Sequence, residues 1–153
     1  MEQNGSKLLK VVSIIMMIGG IIGAVASLIY TIVIGAGTAL LGTSEAQAAM
    51  AREGINGAYV APVMGLLWVG TIFLIAGSVF EIIAGVKGKN NWNNPAQAQT
   101  LLIFGIICAV LSVVGNVFFA TGGAGVQVFS IITGLALPVL YIIGAVQLKN
   151  MQG

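Results

Sequence analysis

The chain has 153 residues, of which 58% are hydrophobic and 7% charged, with a mean hydropathy of +1.07 and a net charge of +2. A soluble fold of this size needs far more polar surface, so a lipid bilayer is the solvent that fits this composition. No basic patch is interleaved with aromatics, which argues against a nucleic-acid partner; the lack of histidine removes the commonest metal ligand and neutral-pH base; and the lone Cys108 cannot form an internal disulfide.

Four apolar segments follow, each reaching the roughly 20 residues that a helix needs to cross about 30 Å of hydrocarbon. The first runs over 11–34, with an alternative end at Leu41. Lys7, Lys10 and the Ala24-Val25-Ala26 triplet resemble a signal peptide with its cleavage site. The apolar run continues through Ser27-Leu28-Ile29-Tyr30, however, which predicts a retained span. Gly19, Gly23 and Ser27 recur every four residues, as do Gly20 and Ala24. Such rows put a smooth face on a helix, either for dimerisation or for packing within the chain's own bundle.

The loop over 42–57 predicts a short helix, Glu45 to Glu53. Ser44 followed by Gln47 resembles a capping box, the alanines favour helix, and Gly54 is a stop signal. Ala48, Ala49 and Met50 would let this helix lie on the membrane surface. Alternatively, the loop continues the first span.

The second segment, 60–86, contains Glu81, about two turns before Lys87. A carboxylate inside a bilayer is costly and faces protein, water or a cation. Glu81 is therefore either a proton or cation site or a partner of Lys7, Lys10 or Lys149. The stretch 88–97, with four asparagines and Pro95, reads as a turn in which Pro95 opens the next helix.

The third segment runs over 100–120 and carries another small-residue row, Gly105 and Ala109 with Ser112 and Gly115. Cys108 lies in an apolar run, where an inert buried thiol is the default. Thr121 to Gly125 is a glycine-rich turn that forces an antiparallel hairpin with the fourth segment, 126–148. Asn116 and Gln127 would face each other across that hairpin, as a hydrogen-bonded pair or as part of a site with Glu81. Pro138 removes one backbone bond from the fourth helix and predicts a kink.

Five of the six basic residues, Lys7, Lys10, Lys87, Lys89 and Lys149, fall on one side of a four-span arrangement; only Arg52 lies in the 42–57 loop. The positive-inside rule then makes both termini and the middle loop cytoplasmic, with Trp92 and Tyr59 near the interfaces. Residues 75–90 and 135–150 share seven of sixteen positions, ending in Lys-Asn both times, and pair Glu81 with Tyr141. More weakly, Gly20 to Val25 matches Gly105 to Val110. Both hairpins start on the same side, so this is a parallel repeat.

HExxH, GxSxG, phosphate-loop and CxxC patterns are absent, which points away from an enzyme, and no catalytic, cofactor or metal residue is proposed. Leu137-Pro-Val-Leu-Tyr-Ile-Ile-Gly-Ala-Val146 resembles the last helix of small four-span membrane proteins of Gram-positive bacteria. The resemblance covers the third and fourth segments best, implies a bacterial plasma membrane and a four-helix bundle, and carries over no site residue. Claudins are less similar, because the first outer loop lacks their cysteine pair. The sequence thus predicts an all-α, four-span membrane bundle without a cofactor. Its partners would be the bilayer and either a second copy or another membrane protein. Two roles fit: an accessory, scaffold or immunity-type subunit working through helix–helix contacts, or a small oligomeric transporter or channel using Glu81.

Overall fold

A computed structural model describes the backbone of residues 2–121 and 128–151, and the side chains of 7–118, 120–121 and 134–151. The described residues are almost entirely helical: α1 (Glu2–Leu41), α2 (Ser44–Arg52), α3 (Val60–Asn91), α4 (Ala98–Phe119) and α5 (Val128–Asn150), with short 3-10 turns at Gly57–Tyr59 and Pro95–Gln97. Glycines that would weaken a helix in water do not break α1 or α3. In hydrocarbon the backbone has no other donor or acceptor to turn to, so the intrahelical ladder persists. Three stretches, Lys7–Leu41, Gly57–Asn91 and Pro95–Phe118, are long and apolar enough to cross a membrane, and Gly134–Asn150 is a shorter apolar helix.

α1 packs against α3 and α5, and α4 packs against the same two, so the four long helices form a ring in the order α1–α3–α4–α5. The core lies at the lysine-rich end, where Leu9, Met16, Leu101, Cys108, Tyr141 and Leu148 are all buried. Glycine makes this end dense. A Cβ on Gly85 would lie 2.6 Å from the Ser13 carbonyl oxygen and 2.7 Å from the Met17 nitrogen, so α3 sits directly on the α1 backbone. A Cβ on Gly144 would lie 3.0 Å from Leu9 Cα, which brings α5 equally close to α1. Gly20 meets Ile82, whose Cγ1 would be 2.8 Å from an added Cβ, and Gly105 meets Ile142 Cγ1 at 2.7 Å. These two contacts occupy matching positions in the two hairpins.

The opposite end is looser. At Gly37 and Gly65 an added Cβ would meet nothing within 4 Å. Ile32 and Leu40 of α1 are 71% and 66% exposed, which suits a lipid-facing surface. At 1.5 Å per residue the 40 residues of α1 extend about 60 Å, roughly twice the hydrocarbon thickness, so the helix runs on to Leu41 and not merely to 34.

Two local expectations need correcting. α2 is capped by Thr43, not Ser44: the Thr43 backbone is extended, and its Oγ1 accepts from the Ala46 N–H at 3.3 Å. Only Gly42 and Thr43 separate α1 from α2, which moves the cap one residue earlier. Gly54 follows α2 with φ of +71°, a left-handed conformation that suits glycine. Residues 88–91 are helical, not part of a turn, because Gly88 is packed against Ser13 and Tyr141 and carries α3 onward to Asn91. The asparagines act at the end of the helix: Asn91 Nδ2 donates to the Lys87 carbonyl, and Asn94 Oδ1 accepts from the Ala96 N–H ahead of α4.

Gly85→Ala is expected to destabilise the protein by about 1–3 kcal/mol through backbone overlap. Gly65→Ala should be neutral or stabilise by up to about 1 kcal/mol. Thermal unfolding of both variants in detergent checks this, and equal losses would show that the dense end is not held by glycine contacts.

Candidate functional site

In the middle of the ring lies a cavity of about 170 Å³, reached by Gly23 of α1, Ser78 and Glu81 of α3, Ser112 and Asn116 of α4, and Gly134 of α5. At about 30 Å³ per molecule that is room for about five waters. Its apolar lining includes Phe73, which stacks on Phe118 with ring centroids 5.6 Å apart.

Glu81 makes no ion pair or hydrogen bond among the described residues. The expected pairing with Lys7, Lys10 or Lys149 is not formed. Lys10 Nζ lies over the Trp92 ring, 4.7 Å from its centroid, and Lys87 Nζ lies 5.3 Å from the Phe104 centroid. Glu81 is about 9 Å deeper along α3 than Lys87 and lines the central cavity, away from the helix ends where the lysines sit.

The hydroxyls divide into two groups. Ser13, Thr71 and Ser78 each donate to the carbonyl four residues back, at 2.6, 2.8 and 2.9 Å, the usual way to satisfy a hydroxyl inside a membrane helix. Ser112 makes no such bond, and its residue lines the cavity. Asn116 gives its Nδ2 to the Ser112 carbonyl at 2.7 Å, and its Oδ1 has no donor among the described residues. Gln127, expected opposite Asn116, lies outside the described residues.

On the lysine side of Glu81 stands Tyr141, which is not part of the cavity lining. Its side chain is fully buried, its hydroxyl donates to the Ala84 carbonyl at 2.8 Å, and its ring fits beside Gly88 and Gly105. Sequence reasoning placed Tyr141 only as the interfacial counterpart of Glu81. The glycines on two other helices that make room for it are visible only after folding. Ser112 was read as one of a row of small residues, and Gly134 was not singled out. The signal available for Gly134 was Pro138, four residues on, which cannot supply it with a helical N–H.

The small-residue rows are largely spent inside the chain. Gly23 sits against Ser78, whose Oγ would be 2.8 Å from an added Cβ, and Gly105 packs on α5. Ser27 is buried and donates to the Ala24 carbonyl, while Ala109 is half-buried. Gly19 has Leu137 Cδ1 at 3.8 Å, an ordinary contact. A second cavity of about 470 Å³ lies at the far end between α1, α2 and α3, lined by Leu41, Met50, Val60 and Met64. Met50 therefore turns toward the bundle, whereas Ala48 and Ala49 are exposed. Among the described residues, no three of the His, Cys, Asp or Glu side chains come together as a metal cluster would require.

The described residues thus form an all-helical bundle with three helices long and apolar enough to cross a membrane, and with a small cavity among its helices that has a few polar side chains in a mostly apolar lining. Compared with protein-family models, with curated proteins and with solved structures, it matches none.

Tyr141→Phe keeps the ring and removes one buried hydrogen bond, so it should cost about 0.5–1.5 kcal/mol. Glu81→Gln breaks no ion pair and should leave stability unchanged or raised. Unfolding in mixed detergent checks both, and a large loss for Glu81→Gln would reveal a structural partner for that carboxylate.

Proposed function

We propose that the chain is a four-span protein of a bacterial plasma membrane, with two repeated hairpins and both termini cytoplasmic, that works without enzymatic activity through helix–helix contacts as an accessory, scaffold or immunity-type subunit. The observation that carries this reading is the close packing at the lysine end. Tyr141 bonded to Ala84, together with Gly85 and Gly144 pressed onto α1, packs the helices of a single chain closely together there. What the chain offers its surroundings is helix surface, most of all the outer half of α1, where Leu28, Ile29 and Ile32 are exposed. The matched contacts of Gly20 with Ile82 and Gly105 with Ile142 support the repeat. The lysine distribution supports the orientation.

A second reading, an oligomeric transporter or channel, is favoured by one observation: Glu81 lines a cavity among the helices and has no partner among the described residues. A pathway would then form between copies or through a rearranged bundle.

Two measurements test these readings. In a Cys108→Ala background, Ala48→Cys should react with an impermeant thiol reagent added to intact cells, and Asn93→Cys only after permeabilisation. The reverse pattern would invert the topology, and labelling of both would break it. Mass analysis in nanodiscs should give a monomer, a dimer or a stoichiometric complex with another membrane protein. A closed homo-oligomer of three or more copies would instead favour the transport reading.

A further inference from the structure

We propose that the central cavity is a binding site for a small monovalent cation, held partly hydrated between α3, α4 and α5.

Four oxygen-bearing groups without a helical partner converge there. Among the described residues, Glu81 supplies a carboxylate without a partner, Ser112 a hydroxyl that does not bond back to its helix, and Asn116 the Oδ1 left over when its Nδ2 is engaged. The fourth comes from the backbone. Pro138 has no N–H, so the Gly134 carbonyl lacks its regular helical donor, and Gly134 lines the same cavity. In a bilayer, carbonyls released from a helix ladder persist where a neighbouring group, water or, as in transporter sites, a cation satisfies them. Hard oxygen donors of this kind suit alkali ions and ammonium, not soft metals.

Charge and volume narrow the choice. One carboxylate neutralises one positive charge, whereas calcium and magnesium sites draw on several carboxylates. A cavity of about 170 Å³ is far larger than a bare ion, so water completes the shell. It is also smaller than the about 300–1,000 Å³ of ordinary organic-ligand pockets. On the lysine side of Glu81 the helices are tied together by the Tyr141 bond to the Ala84 carbonyl. Binding suits an accessory subunit as well as a transporter. The proposal takes its low dielectric from the membrane-spanning reading, which the cysteine-labelling experiment decides independently.

The test is the thermal stability of the purified protein in nanodiscs. It is titrated with lithium, sodium, potassium, ammonium and methylammonium chlorides against N-methylglucamine chloride at constant ionic strength and mildly alkaline pH. At least one of the small cations should raise the melting temperature saturably. Response to alkali ions identifies a metal ion as the ligand, and response confined to the ammonium salts identifies an amine; either supports the site. Glu81→Gln should weaken the response by about a hundredfold or abolish it. Pro138→Ala returns an N–H to the Gly134 carbonyl and should weaken binding by about tenfold in a helix that is itself easier to form. Ser112→Ala provides a third variant should Glu81→Gln not fold. The proposal is overturned if no cation gives a saturable shift in the parent protein, as when a proton alone neutralises Glu81. It is equally overturned if the folded variants respond as the parent does.

Discussion

The structure depends on one interaction that crosses it, the hydrogen bond from Tyr141 of α5 to the Ala84 carbonyl of α3. Helices in a bilayer gain little from hiding apolar surface, because lipid tails are as apolar as leucine. What holds them together is close contact and the few hydrogen bonds that hydrocarbon strengthens. A tyrosine can reach the opposite helix only if the helices on its way give room. Gly88 and Gly105 provide it, since a Cβ on either would strike the ring. Ser13, which donates to the Leu9 carbonyl, completes the packing around Gly88. With Tyr141 in place, the core from Leu9 to Leu148 is assembled at one end of the bundle.

That lock explains the unequal ends. Where Gly85, Gly88, Gly105 and Gly144 let backbones touch, few side chains are needed to fill the space. Toward α2, the helix faces carry Gly37 and Gly65 with no neighbour, and the bundle opens into the cleft beneath Met50 and Met64. The polar cavity falls between these regimes. Its lining comes from all four long helices, so its residues are held by the dense half without being filled by it.

Helical class and a membrane-spanning character were legible in the sequence because they follow from composition and from long apolar runs, three of which form helices long enough to cross a bilayer. The start of α3 at Val60 and the stop after α2 at Gly54 were visible for the same reason. The end of α3 was not. Asparagines at 90 and 91 oppose helix locally, but Gly88 is fixed by residues from two other helices, and local propensity yields to that packing. Glu81 and Asn116 were legible as polar residues in apolar runs, which is a one-dimensional signal. That Ser112 leaves its hydroxyl unbonded, and that Lys10 turns to Trp92 and not to Glu81, depends on side-chain directions set by neighbouring helices. The spacing of small residues showed where helices come close. It did not show whether the neighbour belongs to the same chain, and for Gly23 and Gly105 it does.

The two hairpins use matching positions for different ends. Ile82 and Ile142 occupy the same place and make the same contact with Gly20 and Gly105, so the backbones of the two halves approach alike. One residue earlier, that shared geometry presents Glu81 in one half and Tyr141 in the other. Both side chains start from comparable positions beside the bundle axis. The phenol is long enough to reach a carbonyl on the facing helix and satisfies its own polar atom there. The carboxylate makes no hydrogen bond among the described residues and lines the cavity instead. Had both positions carried tyrosine, the centre would be closed twice. Had both carried glutamate, two unpaired acids would share one small volume in a low dielectric, at a cost that burial makes prohibitive. The asymmetry at this single position is what allows a rigid bundle to keep one polar space inside it.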